Sequence, residues 1–366
     1  MPAATAMTAT DADAARAPAS AHVPLAEATR GGVVESIHLG SVAVVDRDGT
    51  LLAAAGDPEF LTFTRSALKP LQALPFVAAG GVERFGFSQA EVALMCASHS
   101  GEPRHVEGVA DMLARAGNRP EDLQCGTHVP GFYEATSQFP PPPPYSPLAH
   151  NCSGKHAGML AHCAQCGWDR TRYLDFDHPL QQAIRRAVAT LTGVPEADLR
   201  AGIDGCSAPN YAVPLSRLAL AFARLASDRG DGEFGHAPRM IADAMAAHPE
   251  MVSGAARSDL ALMRAGRGDW VSKIGAEGVQ ALGVRSRGIG IAVKAVDGQK
   301  RGLYPAVVAV LDALGLLDAA ARAELAPWAR RDLTNYRGTV TGELRPALAL
   351  RMPGSRLLAS GAEGRR

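Results

Sequence analysis

The chain has 366 residues, and its 37 basic side chains are balanced by 37 acidic ones, so the formal net charge is zero at pH 7. This balance excludes the basic surface typical of nucleic-acid-binding proteins, and the lack of any apolar run of about 18 residues excludes a membrane span. Apolar residues make up 47% of the sequence, which is enough for a substantial core.

The first two dozen residues are rich in Ala, Thr and Asp, and they lack the basic start and the apolar stretch of a signal peptide. We therefore predict a disordered tail over residues 1–24, one catalytic domain over residues 25–366, and a cytoplasmic protein. Six cysteines are present. In a long cytoplasmic chain they are expected to be thiols or metal ligands, not disulfides.

Two apolar stretches follow the tail, at residues 33–38 and 41–45, and both are predicted as strands with a turn or bulge at Gly40 between them. The Asp-Gly pair at 48–49 is a hairpin signal, so a returning strand is expected over residues 51–55.

From Ser66 onward the apolar spacing becomes helical, and Ser88 and Glu91 form a capping-box pattern that opens another helix. The five prolines at residues 140–144 predict an extended surface loop inside one domain. Further helices are predicted at residues 103–123, with a break near Gly117, and at 152–166, 178–192 and 210–227.

Strands return late in the chain, at residues 278–284 and 288–295, and helices are expected after them at 301–316 and 318–330. This order predicts an α/β (α+β) protein with a mixed, mainly antiparallel sheet built from both chain ends and an inserted helical lobe. The predicted lobes are a sheet lobe over about 30–65 and 270–350 and a helical lobe over about 66–269.

The first candidate for chemistry is Ser66-x-x-Lys69, where residues three apart on a helix face the same side. A lysine amine is a poor base at its usual pKa of about 10.4, but burial or a nearby cation lowers that pKa and allows the neutral amine to take a hydroxyl proton. The spacing is also common by chance. Pro70 disfavours helical geometry at Lys69 unless the helix begins close to Ser66.

Four further segments are rich in polar or soft side chains, and each also has an ordinary structural interpretation. CASHSGE at 96–102 is either a helix cap and turn or a second active-site hydroxyl with its polar neighbours. HNCSGKH at 150–156 and GIDGC at 202–206 contain thiols and histidines that suit zinc, although without a recognised zinc spacing. KIGAEG at 273–278 is either a solvated lysine before a turn or the Lys-x-Gly partner of Ser-x-x-Lys in serine acyl-transfer enzymes.

These motifs together, with RSALKPLQALP at 65–75 as the first, resemble the signature of the Rhizobium-type, thermolabile L-asparaginase II family, from about residue 32 to residue 346. The resemblance implies a fold similar to that of serine β-lactamases and glutaminases. It also implies an amidohydrolase that acts on linear amides and converts L-asparagine into L-aspartate and ammonia. Homodimers are typical of the family, and neither nucleic acid nor membrane is an expected partner.

The resemblance also implies site residues. It pairs Ser66 with Lys69 and Ser98 with Lys273, and we take Ser66 as the nucleophile, although the sequence does not rank the two serines. The implied metal ligands, usually of zinc, are Cys152, Lys155 and Cys206. The remaining motif residues are assigned to substrate binding: Arg65, His99, Gly101, Glu102, Asp204, Gly275, Ala276 and Glu277.

Two other functions remain open at this point. A β-lactamase or D-Ala-D-Ala peptidase uses the same Ser-x-x-Lys and Lys-x-Gly logic, but such enzymes are usually exported. A zinc-binding or thiol redox module would use Cys152, Cys206 and the Cys163-x-x-Cys166 pair, and it leaves the serines and lysines unexplained.

Overall fold

The computed structural model describes residues 21–227, 230, 232–352 and 358–359. Most of the predicted tail therefore lies outside the described residues. The first strand begins at Val23.

Strands from both chain ends form the main sheet, which has eight strands in the order β10-β11-β1-β2-β9-β8-β7 with β3 beside β2. A smaller sheet has the order β4-β6-β5, and β12 pairs with β13. The strands are β1 Val23–Arg30, β2 Val33–Asp46, β3 Leu51–Ala55, β4 Leu61–Phe63, β5 Arg200–Ile203, β6 Pro209–Pro214, β7 Trp270–Gly275, β8 Val279–Val284, β9 Ile289–Ala295, β10 Arg331–Thr334, β11 Val340–Pro346, β12 Ala349–Leu350 and β13 Leu358–Ala359.

Helices fill the middle of the chain and cover both faces of the main sheet. They are α1 Lys69–Ala78, α2 Gly81–Phe85, α3 Gln89–Met95, α4 Pro103–Arg115, α5 Gly131–Ala135, α6 Ser153–Cys166, α7 Pro179–Thr192, α8 Leu215–Ala226, α9 Ala237–Ala247, α10 Pro249–Val252, α11 Ser258–Ala265, α12 Lys300–Ala313 and α13 Ala319–Ala329. The predicted fold class is confirmed: an antiparallel sheet from both chain ends is flanked by helices, and a long helical segment lies between its strands.

Strand β2 shows why both faces of the sheet are apolar. Ala43 and Val45 contribute to the core shared with the helical middle, whereas Val42 and Val44 contribute to the core under α12 and α13. Successive side chains of a strand point to opposite faces, so a strand covered on both sides needs a continuous apolar run. Within the described residues, no helix combines the length and the apolar character needed to cross a membrane.

The predicted turn at Gly40 was wrong, because β2 is one strand of 14 residues, and the nearby irregularity is a register shift of β1 between Pro24 and Ala26. Gly40 is the point where β2 pairs with both β1 and β9. A Cβ atom at this position would lie 2.0 Å from the carbonyl oxygen of Lys294 and 2.4 Å from Cδ1 of Leu25. The glycine therefore permits close packing inside the sheet and does not mark its end.

The predicted helix over 210–227 was also wrong in its first part, because Pro209–Pro214 is β6 and the helix begins only at Leu215. The physical reason is a proline. The ring of Pro214 clashes with helical geometry at the residue before it, so Val213 favours an extended conformation. The helix predicted over 103–123 ends at Arg115, close to the predicted break near Gly117, and it does not resume as an α-helix before residue 123.

Candidate active site

The turn that leads into α1 contains Ser66 and is a 3₁₀ helix over Arg65–Leu68. Pro70 occupies the first turn of α1, where a missing N–H costs no helical hydrogen bond. Lys69 has helical dihedrals, φ −57° and ψ −39°, directly before that proline. The helix thus begins close to Ser66, which is the condition under which Pro70 is compatible with the motif.

Arg65 has a positive φ of 49°, which is uncommon for a residue with a side chain. Asn210 on β6 holds this backbone from both sides. Its side-chain oxygen accepts from the Arg65 N–H at 3.0 Å, and its amide group donates to the Arg65 carbonyl at 3.0 Å. A strained conformation of this kind persists where the surroundings fix it, and such residues cluster at functional sites.

Lys69 is buried, and its amine is the centre of the predicted chemistry. The amine donates to the Ser98 hydroxyl at 3.0 Å, to the Ala97 carbonyl at 2.5 Å and to the Asn151 carbonyl at 3.3 Å. Three acceptors match the three N–H donors of a lysine ammonium group. The structure thus brings Lys69 into contact with the second and third motifs of the sequence.

The Ser66 hydroxyl makes no hydrogen bond with another described residue and is half-buried at the start of the turn. The hydroxyl that contacts Lys69 is therefore that of Ser98. Ser98 lies after α3 and is fixed by its backbone N–H, which donates to the Val252 carbonyl at 2.9 Å.

Lys273 lies on β7 and is fully buried. Its amine donates to the Ile274 carbonyl at 2.9 Å and to a carboxylate oxygen of Asp259 at 3.4 Å. The pKa of Lys273 is lowered to about 8: burial is the main cause, Asp259 opposes it, and the charges of Lys69 and Arg257 add to it. The polar partner of Lys273 is thus Asp259, where the resemblance implies Ser98.

The end of β7 packs against the turn that contains Ser66. A Cβ atom at Gly275 would lie 2.8 Å from the Thr64 carbonyl oxygen and 3.3 Å from Cβ of Arg65. A side chain at this position would therefore push the strand away from the turn. The Lys-x-Gly motif and the Ser-x-x-Lys motif are in this way placed side by side, as the sequence motifs require.

Arg65 connects two of the predicted substrate-binding segments. Its Nε donates to Asp204 at 2.8 Å, and one of its terminal nitrogens lies 4.0 Å from Glu277. Burial alone would raise the pKa of Asp204, but the charges of Lys155 and Arg65 outweigh it, and the pKa is lowered. Ala276 and Glu277 are exposed in the turn after β7.

The other predicted substrate-binding residues hold the loop after Ser98. The imidazole of His99 is hydrogen-bonded to the Ser153 hydroxyl at 2.9 Å and accepts from the Gly101 N–H at 3.1 Å. Glu102 accepts from the Ala255 N–H at 2.7 Å. Because protein partners already occupy these polar atoms, their visible role is to position the Ser98 loop.

The predicted metal ligands come together at the start of α6. Cys152, Lys155 and Cys206 are all buried, and the Lys155 amine donates to the Cys206 sulfur at 2.8 Å. A hydrogen bond with Cys206 is the main cause that holds the pKa of Cys152 well below its usual value, against the effect of burial. Burial lowers the pKa of Lys155, but the two thiol groups raise it by more.

This donor set fits a soft cation such as zinc, because zinc binds thiolates and Cys152 favours its thiolate form. Within the described residues, no three His, Cys, Asp or Glu side chains come together in a way that could hold a metal. A metal at this place therefore needs Lys155 as its third ligand, and Lys155 must then lose its proton on binding.

All six cysteines are free thiols, as predicted. Burial raises the pKa of Cys163 to about 12 and also raises that of Cys166. Because a reactive thiol needs a lowered pKa, these two residues lack the property that a redox module would require.

A cavity of 420 Å³ lies apart from these motifs, between α12 and α13. Tyr304 and Trp328 form part of its wall, and the cavity contains none of the predicted site residues.

Two residues that the sequence interpretation missed support the site directly. Asn210 fixes the turn at Arg65, and Asp259 contacts Lys273. Neither belongs to a motif. The available signals were weak: Asn210 is a polar residue inside an apolar strand, and Asp259 stands in the first turn of a helix, where acidic residues are common for other reasons.

The sequence was compared with family models and curated proteins, and the fold was compared with solved structures. The family model described as L-asparaginase II matches residues 26–346. No curated protein matches the chain. A β-lactamase from Mycobacterium bovis is 15% identical, with 79% of this chain and 95% of that chain covered and a TM-score of 0.38. A β-lactamase candidate from Bacteroides dorei is 15% identical, with 70% and 84% covered and a TM-score of 0.37. At these TM-scores, the activities of those two proteins have no bearing on this chain.

Proposed function

Because the chain belongs to the L-asparaginase II family, we propose that it hydrolyses the side-chain amide of L-asparagine to give L-aspartate and ammonia. The observation that best supports a serine mechanism is the 3.0 Å hydrogen bond from the buried Lys69 amine to the Ser98 hydroxyl, next to the turn that contains Ser66. This arrangement offers two hydroxyl groups and a proton acceptor at one place.

In the proposed first step, Lys69 has released its ammonium proton to solvent, and the Ser66 oxygen attacks the amide carbon of the substrate while the Ser66 proton passes to the Lys69 amine. Ser98 contacts Lys69 and serves as the proton relay between the two groups. Backbone N–H groups stabilise the oxyanion of the tetrahedral intermediate. The C–N bond then breaks, the nitrogen takes up a proton and leaves as ammonia, and a β-aspartyl ester remains on Ser66.

In the second step, water attacks the ester carbon and transfers a proton back to the Ser66 oxygen, which releases aspartate. Ser66 is the better candidate for the nucleophile because its hydroxyl is half-buried, reachable and free of other hydrogen bonds among the described residues, whereas Ser98 is buried. The assignment of the two serines is part of the proposal.

Substrate recognition is proposed for the charged cluster at Arg65. The guanidinium group suits the α-carboxylate of asparagine, and the Asp204 and Glu277 carboxylates suit its α-ammonium group. Gly275 and Ala276 shape the adjoining turn, and His99, Gly101 and Glu102 position the Ser98 loop.

Zinc is proposed as the metal of Cys152, Lys155 and Cys206, in keeping with the Rhizobium-type members that the motifs resemble. A bound zinc ion would supply positive charge for polar groups of the substrate. The homodimer and the cytoplasmic location expected from the sequence also belong to this proposal.

The test is ammonia release from purified protein with L-asparagine and with L-glutamine, each with and without added zinc. A chromogenic cephalosporin serves as the comparison substrate, since a β-lactamase would open its ring. We expect ammonia from L-asparagine and no cephalosporin turnover. Cephalosporin turnover without ammonia release would contradict the proposed function.

A further inference from the structure

Asp259 is a fully buried carboxylate in the first turn of α11, and the proposed mechanism leaves it without a role. One of its oxygens accepts from the Ser272 hydroxyl and from the Gln280 amide, both at 2.9 Å. The other accepts from the Ile274 N–H at 2.9 Å and from the Lys273 amine at 3.4 Å. Its negative charge is therefore fully enclosed by donors of β7 and β8.

Two of these donors flank Lys273 in the sequence. Ser272 and Ile274 are the residues immediately before and after Lys273 on β7, so Asp259 holds the strand on both sides of that lysine. A buried carboxylate is costly unless it is paired and hydrogen-bonded. The four donors meet that requirement, and they fix the carboxylate and the Lys273 amine relative to each other.

The charges around Lys273 give this carboxylate a particular effect. Lys69 and Arg257 add positive charge near the amine, and the Cys96 thiol, whose pKa burial raises to about 12, adds none at neutral pH. Burial, Lys69 and Arg257 all favour the neutral amine, and Asp259 is the acidic group that opposes them. Removal of its charge would therefore favour loss of the lysine proton.

We propose that Asp259 is a positioning residue that keeps Lys273 as an ammonium ion beside Ile274, so that Lys273 supplies positive charge to the reaction and does not act as a base. This inference rests on the proposed function. The two lysines then have different roles: Lys69 accepts the serine proton and passes it to the leaving nitrogen, whereas Lys273 stabilises developing negative charge.

The test combines steady-state kinetics with a readout that needs no activity. Asp259→Asn is compared with Asp243→Asn, which removes a carboxylate from the partly exposed ion pair with Arg285, and with Ser272→Ala, which changes the same network but keeps its charge. The chain has five lysines, so ¹⁵N-lysine NMR resolves each amine, and Lys273→Met assigns the Lys273 signal.

In Asp259→Asn we expect kcat for ammonia release to fall about tenfold or more, since one pKa unit corresponds to a tenfold change, with KM nearly unchanged. The Lys273 titration should move to lower pH in this variant and stay in place in Asp243→Asn and Ser272→Ala. An unmoved titration in Asp259→Asn, or an equal shift in Ser272→Ala, would overturn the proposal.

In Asp259→Asn an amide donor replaces a carboxylate oxygen and faces other donors, which destabilises the surrounding structure. The double variant Asp259→Asn with Lys273→Met removes both charges and covers this case. It should be as active as Lys273→Met alone, and a further loss would contradict action through Lys273. If the wild-type protein released no ammonia, the proposed function would fail, while the NMR titration would still decide the role of Asp259.

Discussion

The two buried lysines of the candidate site have opposite surroundings. Lys69 donates to a hydroxyl and two backbone carbonyls, all of them neutral, whereas Lys273 is held against the carboxylate of Asp259. A carboxylate next to an amine favours its charged form, and the three acceptors of Lys69 include no carboxylate. The two lysines thus differ in their hydrogen-bond partners and not in their degree of burial.

The most severe test of this comparison is removal of the reacting hydroxyl. Ser66→Ala should lower kcat by about 10⁴-fold or more, because removal of a nucleophile in serine hydrolases has effects of this size. Ser98→Ala should be less severe, since it interrupts proton relay only. Ammonia release measures both. If Ser66→Ala retained substantial turnover and Ser98→Ala abolished it, the roles of the two serines would be reversed.

The next effect in size concerns Lys273 itself. Lys273→Met should lower kcat by about 10²-fold to 10³-fold, as loss of one electrostatic group that stabilises the oxyanion does. Lys69→Met should be more severe, because it removes the proposed base and the hydrogen bond to Ser98. A milder effect for Lys69→Met than for Lys273→Met would break the proposed division of roles.

The pH profile sharpens the comparison further. The pKa of Lys273 is lowered to about 8, so the amine is charged below that pH and neutral above it. If its charge is required, kcat falls as the pH rises through about 8. In Asp259→Asn the falling limb should move to lower pH, because the group that raises this pKa is gone. A limb that stayed in place would show that another group titrates.

Metal removal is expected to have the smallest effect on the fold. After extraction with a chelator, circular dichroism should be unchanged, because Cys152, Lys155 and Cys206 are buried in the core and Lys155 hydrogen-bonds to Cys206. Activity should fall and return on addition of zinc. Cys152→Ser is the matched variant, since it should weaken zinc binding while Ser66 and Lys69 stay in place. Full activity after complete extraction would remove zinc from the mechanism.

The sequence predicted the architecture well where patterns are local. The strand at 51–55 and the capping box of Ser88 and Glu91 have the expected bounds and contacts. The sequence-based prediction failed where a contact between distant parts of the chain determines the local structure. Gly40 looked like a turn residue, but its function is close approach to β9, which is almost 250 positions away in the chain and leaves no local signal.

The site was predictable to the level of its motifs but not of its contacts. The sequence identified Lys69, Ser98 and Lys273, and the structure places the three motifs together. The partner of each lysine depends on the packing of α1, α11 and β7, so the Lys69–Ser98 and Lys273–Asp259 contacts could not be read from spacing. Five of the 37 basic residues are lysines, and three of them, Lys69, Lys155 and Lys273, lie in this site.

The central claim is that Ser66 forms the covalent intermediate and that Lys69 and Lys273 serve it in different ways. Mass spectrometry of protein quenched in acid during turnover of L-asparagine tests it most directly, because a β-aspartyl ester survives in acid long enough for peptide mapping. The account predicts an aspartyl adduct on the peptide that contains Ser66, and more of it in a variant that slows hydrolysis. An adduct on the Ser98 peptide, or none in an active enzyme, would contradict the account.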